Sequence, residues 1–290
     1  MEKANSIADI VFVTVTETEN NAIQLFYDWQ NFTLDGDSQV FQRAQFSKDG
    51  REHTVIHVKT DEMGMTASAA ITMKVIYEFR PRYVIMTGIA AGVAQYFPDQ
   101  FYGDVVVPDI VWNYSVGKFV SPEAADITYG DVGFKPRSTH LSISENVLAC
   151  VRQAAESPKN ECHIHIGPMA CGSTVVANQA VLEKQVYSQF KNTIGLDMES
   201  YAVVYAALHA NEPKPEPIII KSVWHGRHIY FDWDRQDEGQ NGQPDHVGIV
   251  EKVENGYVYT IEGNSGDRVS NNKWNISHYE IYGYGTYSDA

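Results

Sequence analysis

From Trp224 to Asp289 the chain contains no Ala, Leu or Met, although all three recur through residues 1–223. These residues are among the strongest helix formers, so the final stretch is denied what a helix interior favours. It is rich instead in the residues of strands and turns, with 9 of the 21 glycines, 7 of the 17 tyrosines and 3 of the 5 tryptophans. Its apolar segments are "IYFDW", "HVGIVEKV", "YVYTIEG" and "YEIYGYGTY". The second and third are joined by a turn containing Asn255-Gly256, a pair suited to positive φ at both central positions of a tight hairpin. Residues 224–290 therefore read as a small antiparallel β segment. No Pro/Gly/Ser linker separates it from what precedes.

Residues 1–223 obey a different rule. "ADIVFVTV" at 8–15, "HTVIHVK", "RYVIMTG", "GDVVVPDIVW", "HIHIGPMA" and "PIIIKSV" are β-branched runs. Between them lie segments with apolar recurrence at helical spacing, at 20–29, in "MGMTASAAITMKVIYEF", in "SENVLACVRQAAE", in "QAVLEKQVYSQF" and in "MESYAVVYAALHA". Continuous Val/Ile runs separated by helices predict an α/β fold, with a central, mostly parallel sheet covered on both faces.

The net charge of −15 and pI near 5.0 argue against a nucleic-acid groove or an anionic membrane surface as partner, since both call for concentrated Lys and Arg. No apolar run reaches the roughly 18 residues of a membrane helix, and the N-terminus lacks the pattern of a secretory leader, so a cytoplasmic protein is expected. Cys150, Cys162 and Cys171 follow neither a disulfide nor a metal-ligand spacing and are expected to be reduced thiols. No metal or organic cofactor is expected.

Five segments, in order, carry a resemblance: "VTVTETENNAI", "MGMTASAA", "VIMTGIAAGV" followed by "GDVVVPDIVWNY", "GPMACGSTVVAN" and "GLDMESYAV". Over residues 8–223 the chain resembles the nucleoside phosphorylase and nucleosidase superfamily, and most of all its methylthioadenosine/S-adenosylhomocysteine nucleosidase-like branch. The resemblance implies cleavage of an N-glycosidic bond through a ribosyl oxocarbenium-like state, with a polar group orienting the nucleophile, an anion near the sugar and an acid for the departing base. It implies that Glu19 orients the attacking water, although a glutamate in a first helical turn also serves the helix dipole. Glu199 would grip the ribose hydroxyls and Met198 would pack on the sugar, while Asp197 reads as a helix cap. Ala90, Ala91 and Gly92, with Val175 and Val176, would form pocket walls. Phosphorylases of the superfamily bind phosphate with an Arg and a Ser or Thr where this chain has Met86 and Ile89, so water is the expected nucleophile.

The resemblance stops at Val223. The family's general-acid aspartate falls at His225, and no Ala/Leu-rich final helix follows. A histidine, with an unperturbed pKa of about 6.5, could donate a proton there, but impaired activity is the plainer expectation. Residues 226–290 resemble the C-terminal half of a CHAP domain, a cysteine- and histidine-dependent amidohydrolase/peptidase that cuts peptidoglycan. That resemblance implies His246 as base and Glu262 and Asn264 as its orienting region; the cysteine nucleophile is missing.

The leading expectation is purine nucleoside hydrolysis with a small-molecule nucleoside as partner, and a homo-oligomer is implied by the family. The alternatives are a peptidoglycan amidase or endopeptidase fragment and a nucleoside-binding module without turnover. The chain is expected to be chimeric, its junction near residue 223 either natural or an artificial joining of two genes.

Overall fold

A computed structural model describes residues 8–93, 100, 103–158, 160, 162–174, 176, 181–224, 228–233, 246–254, 256–262, 270–275 and 277–285. The chain divides into two compact units after Trp224.

The first unit is built on a ten-stranded sheet. Strand β1 (Ile10–Thr14) is flanked in parallel by β4 (Arg51–Lys59) and β5 (Tyr83–Ala91), and β13 (Glu216–Trp224) runs parallel to β5. A second parallel block holds β6 (Val105–Asn113), β11 (Ile164–Cys171) and β12 (Gly195–Asp197). The blocks meet antiparallel, β12 against β5 and β13 against β6. β2 (Gln30–Phe32), β3 (Phe41–Lys48) and β10 (His140–Ser142) add antiparallel strands at the two sides. The centre is thus mostly parallel, as the Val/Ile runs predict, with an antiparallel seam between its two blocks. β2, β3 and the separate three-stranded sheet of β7 (Gly117–Val120), β8 (Ile127–Tyr129) and β9 (Val132–Pro136) are additions with no such signal.

Helix α1 (Glu17–Ile23) opens with a capping box, Thr16 accepting from the Glu19 N–H while the Glu19 carboxylate accepts from the Thr16 N–H. It stops at Ile23, short of the apolar recurrence that predicted a helix over 20–29. Leu25 and Phe26 beyond it are exposed, so the pattern there has no surface to bury. α2 (Met65–Phe79) and α4 (Ser200–His209) pack together and fill the core with Ile71, Val75, Ile76, Val203, Val204 and Ala207. α3 (Glu145–Ala155) buries Val147 and Leu148 and starts at Ser144, whose hydroxyl accepts from the Val147 N–H. The helix predicted over "QAVLEKQVYSQF" is, within the described residues, a π-helical turn at Leu182–Tyr187.

The second unit is a five-stranded antiparallel sheet in the order β17 (Ser270–Asn275), β16 (Tyr257–Glu262), β15 (His246–Glu254), β14 (His228–Phe231), β18 (Ile281–Gly285). Gly256, between β15 and β16, has φ of +79°, which agrees with the expected turn; Asn255 lies outside the described residues. Its small core is Phe231, Val250 and Val258, with Trp233, Trp274 and Ile281 packed on it. No helix among the described residues is long and apolar enough to cross a membrane.

Phe79 ends α2 edge-on to Phe41, with centroids 5.2 Å apart, and touches Phe32 as well. Phe79→Ala should lower unfolding free energy by about 3–5 kcal/mol through lost burial and the cavity left behind, measured by urea denaturation.

Candidate active site

Where β1 ends, the chain turns at Val15 and Thr16 into α1, and Glu19 folds back into the turn. Its Oε2 accepts from the N–H groups of Val15 (2.8 Å) and Thr16 (2.9 Å), and its Oε1 from the N–H of Ile89 (2.9 Å) at the far end of β5. Three backbone donors hold this buried carboxylate in one orientation. Gly88 makes the geometry possible: a Cβ there would lie 2.1 Å from Glu19 Oε1.

Two further carboxylates, Asp197 and Glu199, come from the end of β12 and the turn into α4. Asp197 caps α4, as expected, accepting from the Ser200 N–H (3.0 Å) and hydroxyl (2.6 Å). Glu199 is the residue before the helix, and its Oε1 accepts from the Gly64 N–H (2.9 Å) just ahead of α2. Met198, between the two acids, is half-buried.

The three acids converge on Lys221. This lysine lies on β13 between β5 and β6, paired in register with Gly88 and Val106, and is 0% exposed. Its Nζ is 3.4 Å from Asp197 Oδ2 and 3.9 Å from Glu199 Oε2. It makes these ion pairs but no hydrogen bond among the described residues. Burial alone would lower the lysine pKa, but the charges of Asp197, Glu19 and Glu199 outweigh it and hold the ammonium above the usual value. The Glu199 pKa is raised by burial above all, with Asp197 and Glu19 adding to the rise, while Lys221 and the Gly64 N–H oppose it. The Cys171 thiol, fully buried beside Asp197, is pushed well above its usual range by burial and by that carboxylate, which leaves it inert as a nucleophile.

The remaining expected site residues are more scattered. Ala90 is buried in the main core, Ala91 is exposed and Gly92 is half-buried. Val176 packs against an apolar cluster that includes Tyr114 and Trp112. Val175, His225 and Asn264 lie outside the described residues. In the second unit His246 and Glu262 do come together, Nε2 to Oε2 at 3.0 Å. Glu262 Oε1 also accepts from Trp274 Nε1 (2.6 Å) and Thr260 Oγ1 (2.5 Å), and Trp233 stacks on the imidazole at 3.7 Å. Cys150 and Cys162 are exposed and unbridged.

Residues 22–214 match the phosphorylase superfamily. The chain belongs to that superfamily. Solved structures with the same fold include a Streptococcus pneumoniae MTA/SAH nucleosidase in complex with 8-aminoadenine, 20% identical, covering 74% of this chain and 84% of that one with a TM-score of 0.56. An S-adenosylhomocysteine nucleosidase of Streptococcus pyogenes with 5-methylthiotubericidin is 24% identical over 76% and 84% of the chains, TM-score 0.57. A futalosine hydrolase mutant of Helicobacter pylori is 19% identical over 74% and 84%, TM-score 0.55. An uncharacterised Sinorhizobium fredii protein, y4jS, is 29% identical over 206 residues, 68% of this chain. The chain spans about half, 49%, of that relative's length.

Sequence reasoning for a member of this superfamily singled out Glu19, Met198 and Glu199 but passed over Lys221 and Gly88. The signal for Lys221 was present. It is the one charge inside "PIIIKSV", and a lysine in a strand buried on both faces must meet carboxylates.

Because the Glu199 pKa is raised in the folded state, its charge opposes folding: the associated stability is complete below the unfolded value of about 4.3 and is lost as pH rises through the folded one. Glu199→Gln should therefore melt higher than the parent near pH 7. The gain should vanish below about pH 4, as followed by differential scanning calorimetry across pH.

Proposed function

We propose that the first unit hydrolyses the N-glycosidic bond of purine nucleosides. The observation that carries this reading is the convergence of Glu19 and Glu199, far apart in sequence, on one ammonium beside Gly88 of β5. With three carboxylates around a single cation, the cluster favours positive charge, as builds up on the ribosyl ring when the bond to the base stretches. Glu19, fixed by three N–H donors, retains acceptor capacity for a water and would orient it at C1′. Glu199, braced by Gly64, would accept from the ribose hydroxyls, with Met198 against the sugar.

Water is favoured over phosphate for a physical reason. Met86 is fully buried, Ile89 offers no hydroxyl, and its N–H is committed to Glu19. The nucleosidases named above, recorded with adenine-like and nucleoside-like ligands, support the same chemistry. With His225 in place of an aspartate, protonation of the leaving base would be weaker and turnover slower than in members that keep the acid. We include a homo-oligomer and a cytoplasmic setting in the same proposal. A second reading rests on the His246–Glu262 pair, a base with its orienting carboxylate, as the remnant of a CHAP-type peptidoglycan hydrolase without its thiol nucleophile. Peptidoglycan clearing that persists after replacement of all three cysteines would rule out a thiol mechanism from within this chain.

Incubating the protein with methylthioadenosine, S-adenosylhomocysteine, adenosine and inosine, with and without phosphate, should release free base and ribose sugar irrespective of phosphate. Absence of release, or release only with phosphate, sinks the proposal. Glu199→Gln should reduce release at least about 100-fold, the scale expected for losing a group that stabilises developing charge. Gly88→Ala should cost a similar factor of about 100, because the new methyl displaces Glu19.

A further inference from the structure

A lysine with no exposed surface, ion-paired but not hydrogen-bonded, is an expensive way to fill the interior of a strand. A hydrophobic side chain of similar volume would fit the same place without desolvating a charge. What the ammonium supplies is visible from the groups around Glu199. Among the described residues, Glu199 is faced by Lys221 from β13, Asp197 from β12, Glu19 from α1, the Gly64 N–H ahead of α2 and the Cys171 thiol from β11. Lys221 is the only positive charge in this set. Asp197, anchored by Ser200, lies closest to it.

We propose that Lys221 is a positioning residue: its buried ammonium keeps Glu199 ionised so that it can grip ribose, and Asp197, the nearer carboxylate, competes for that ammonium. This rests on the nucleosidase reading for what Glu199 does, but the charge relation itself can be tested without turnover. Lys221 touches no reacting atom in this scheme; it acts through Glu199.

The relation makes a prediction with two signs. Removing the ammonium should make Glu199 harder to ionise, whereas neutralising Asp197 removes a like charge and leaves Lys221 to Glu199, making it easier. A side chain that only held the fold would move both variants the same way.

The test is a carboxyl ¹³C NMR titration of the full chain labelled at glutamate, with the Glu199 signal assigned by its loss in Glu199→Gln. The Glu199 midpoint should rise in Lys221→Met, fall in Asp197→Asn and stay near the parent value in Lys221→Arg. If nucleosides are cleaved, the acidic limb of kcat/KM should move with the midpoint, and Lys221→Met should lose tenfold or more at neutral pH. A midpoint that is unchanged in Lys221→Met, or that moves in the same direction in Asp197→Asn, overturns the proposal. Should Lys221→Met fail to fold, Asp197→Asn and Lys221→Arg decide it, because a rise in either is excluded. Midpoints that behave as stated in a protein that cleaves no nucleoside overturn the functional reading instead, and the charge relation stands.

Discussion

A charge without access to water has to be neutralised by its neighbours, and at Lys221 that requirement organises the first unit. Opposite charges about 4 Å apart attract by roughly 4 kcal/mol at an effective dielectric of about 20, no more than the several kcal/mol that burying each of the two ions costs. One carboxylate is therefore a weak remedy, and the structure provides Asp197 and Glu199 at ion-pair distance with Glu19 nearby. Meeting that demand draws together the ends of β1, β5, β12 and β13, and leaves the Gly88 position without room for a side chain. The mostly parallel centre of the sheet fixes where these ends fall, and the carboxylates then outnumber the single ammonium they surround.

Much of this was legible in the residues. The β-branched runs gave the central strands because a strand buried on both faces has no use for polar alternation. Asp197 and Glu199 were legible because acids at a strand-to-helix turn satisfy orphan N–H groups, which Asp197 does through Ser200. β2, β3 and the β7–β9 sheet were hidden by their partial exposure, which mixes polar residues into the pattern. The early end of α1 was hidden for the opposite reason, since Leu25 and Phe26 keep helical spacing without anything to pack on. Lys221 was signalled by its place inside an apolar run, but which carboxylates it meets follows only from the placement of β13 between β5 and β6.

The second unit shows how far composition can carry. Among its described residues a stretch without Ala, Leu or Met forms a five-stranded antiparallel sheet, with aromatic rings gathered around Phe231. His246 sits inside that aromatic packing, 7% exposed at its side chain, and its partner Glu262 is satisfied by three donors. Such a pair is locally complete.

Asp197 joins two jobs that proteins usually keep apart. The same carboxylate starts a helix and balances a buried cation. Drift at this position is consequently felt both in the secondary structure and in the electrostatics around Lys221, and a substitution harmless to one will seldom be harmless to the other. Over evolutionary time residues 197, 200 and 221 should behave as one inherited unit, their substitutions epistatic, so that the route to a different charge arrangement runs through simultaneous rather than stepwise replacement.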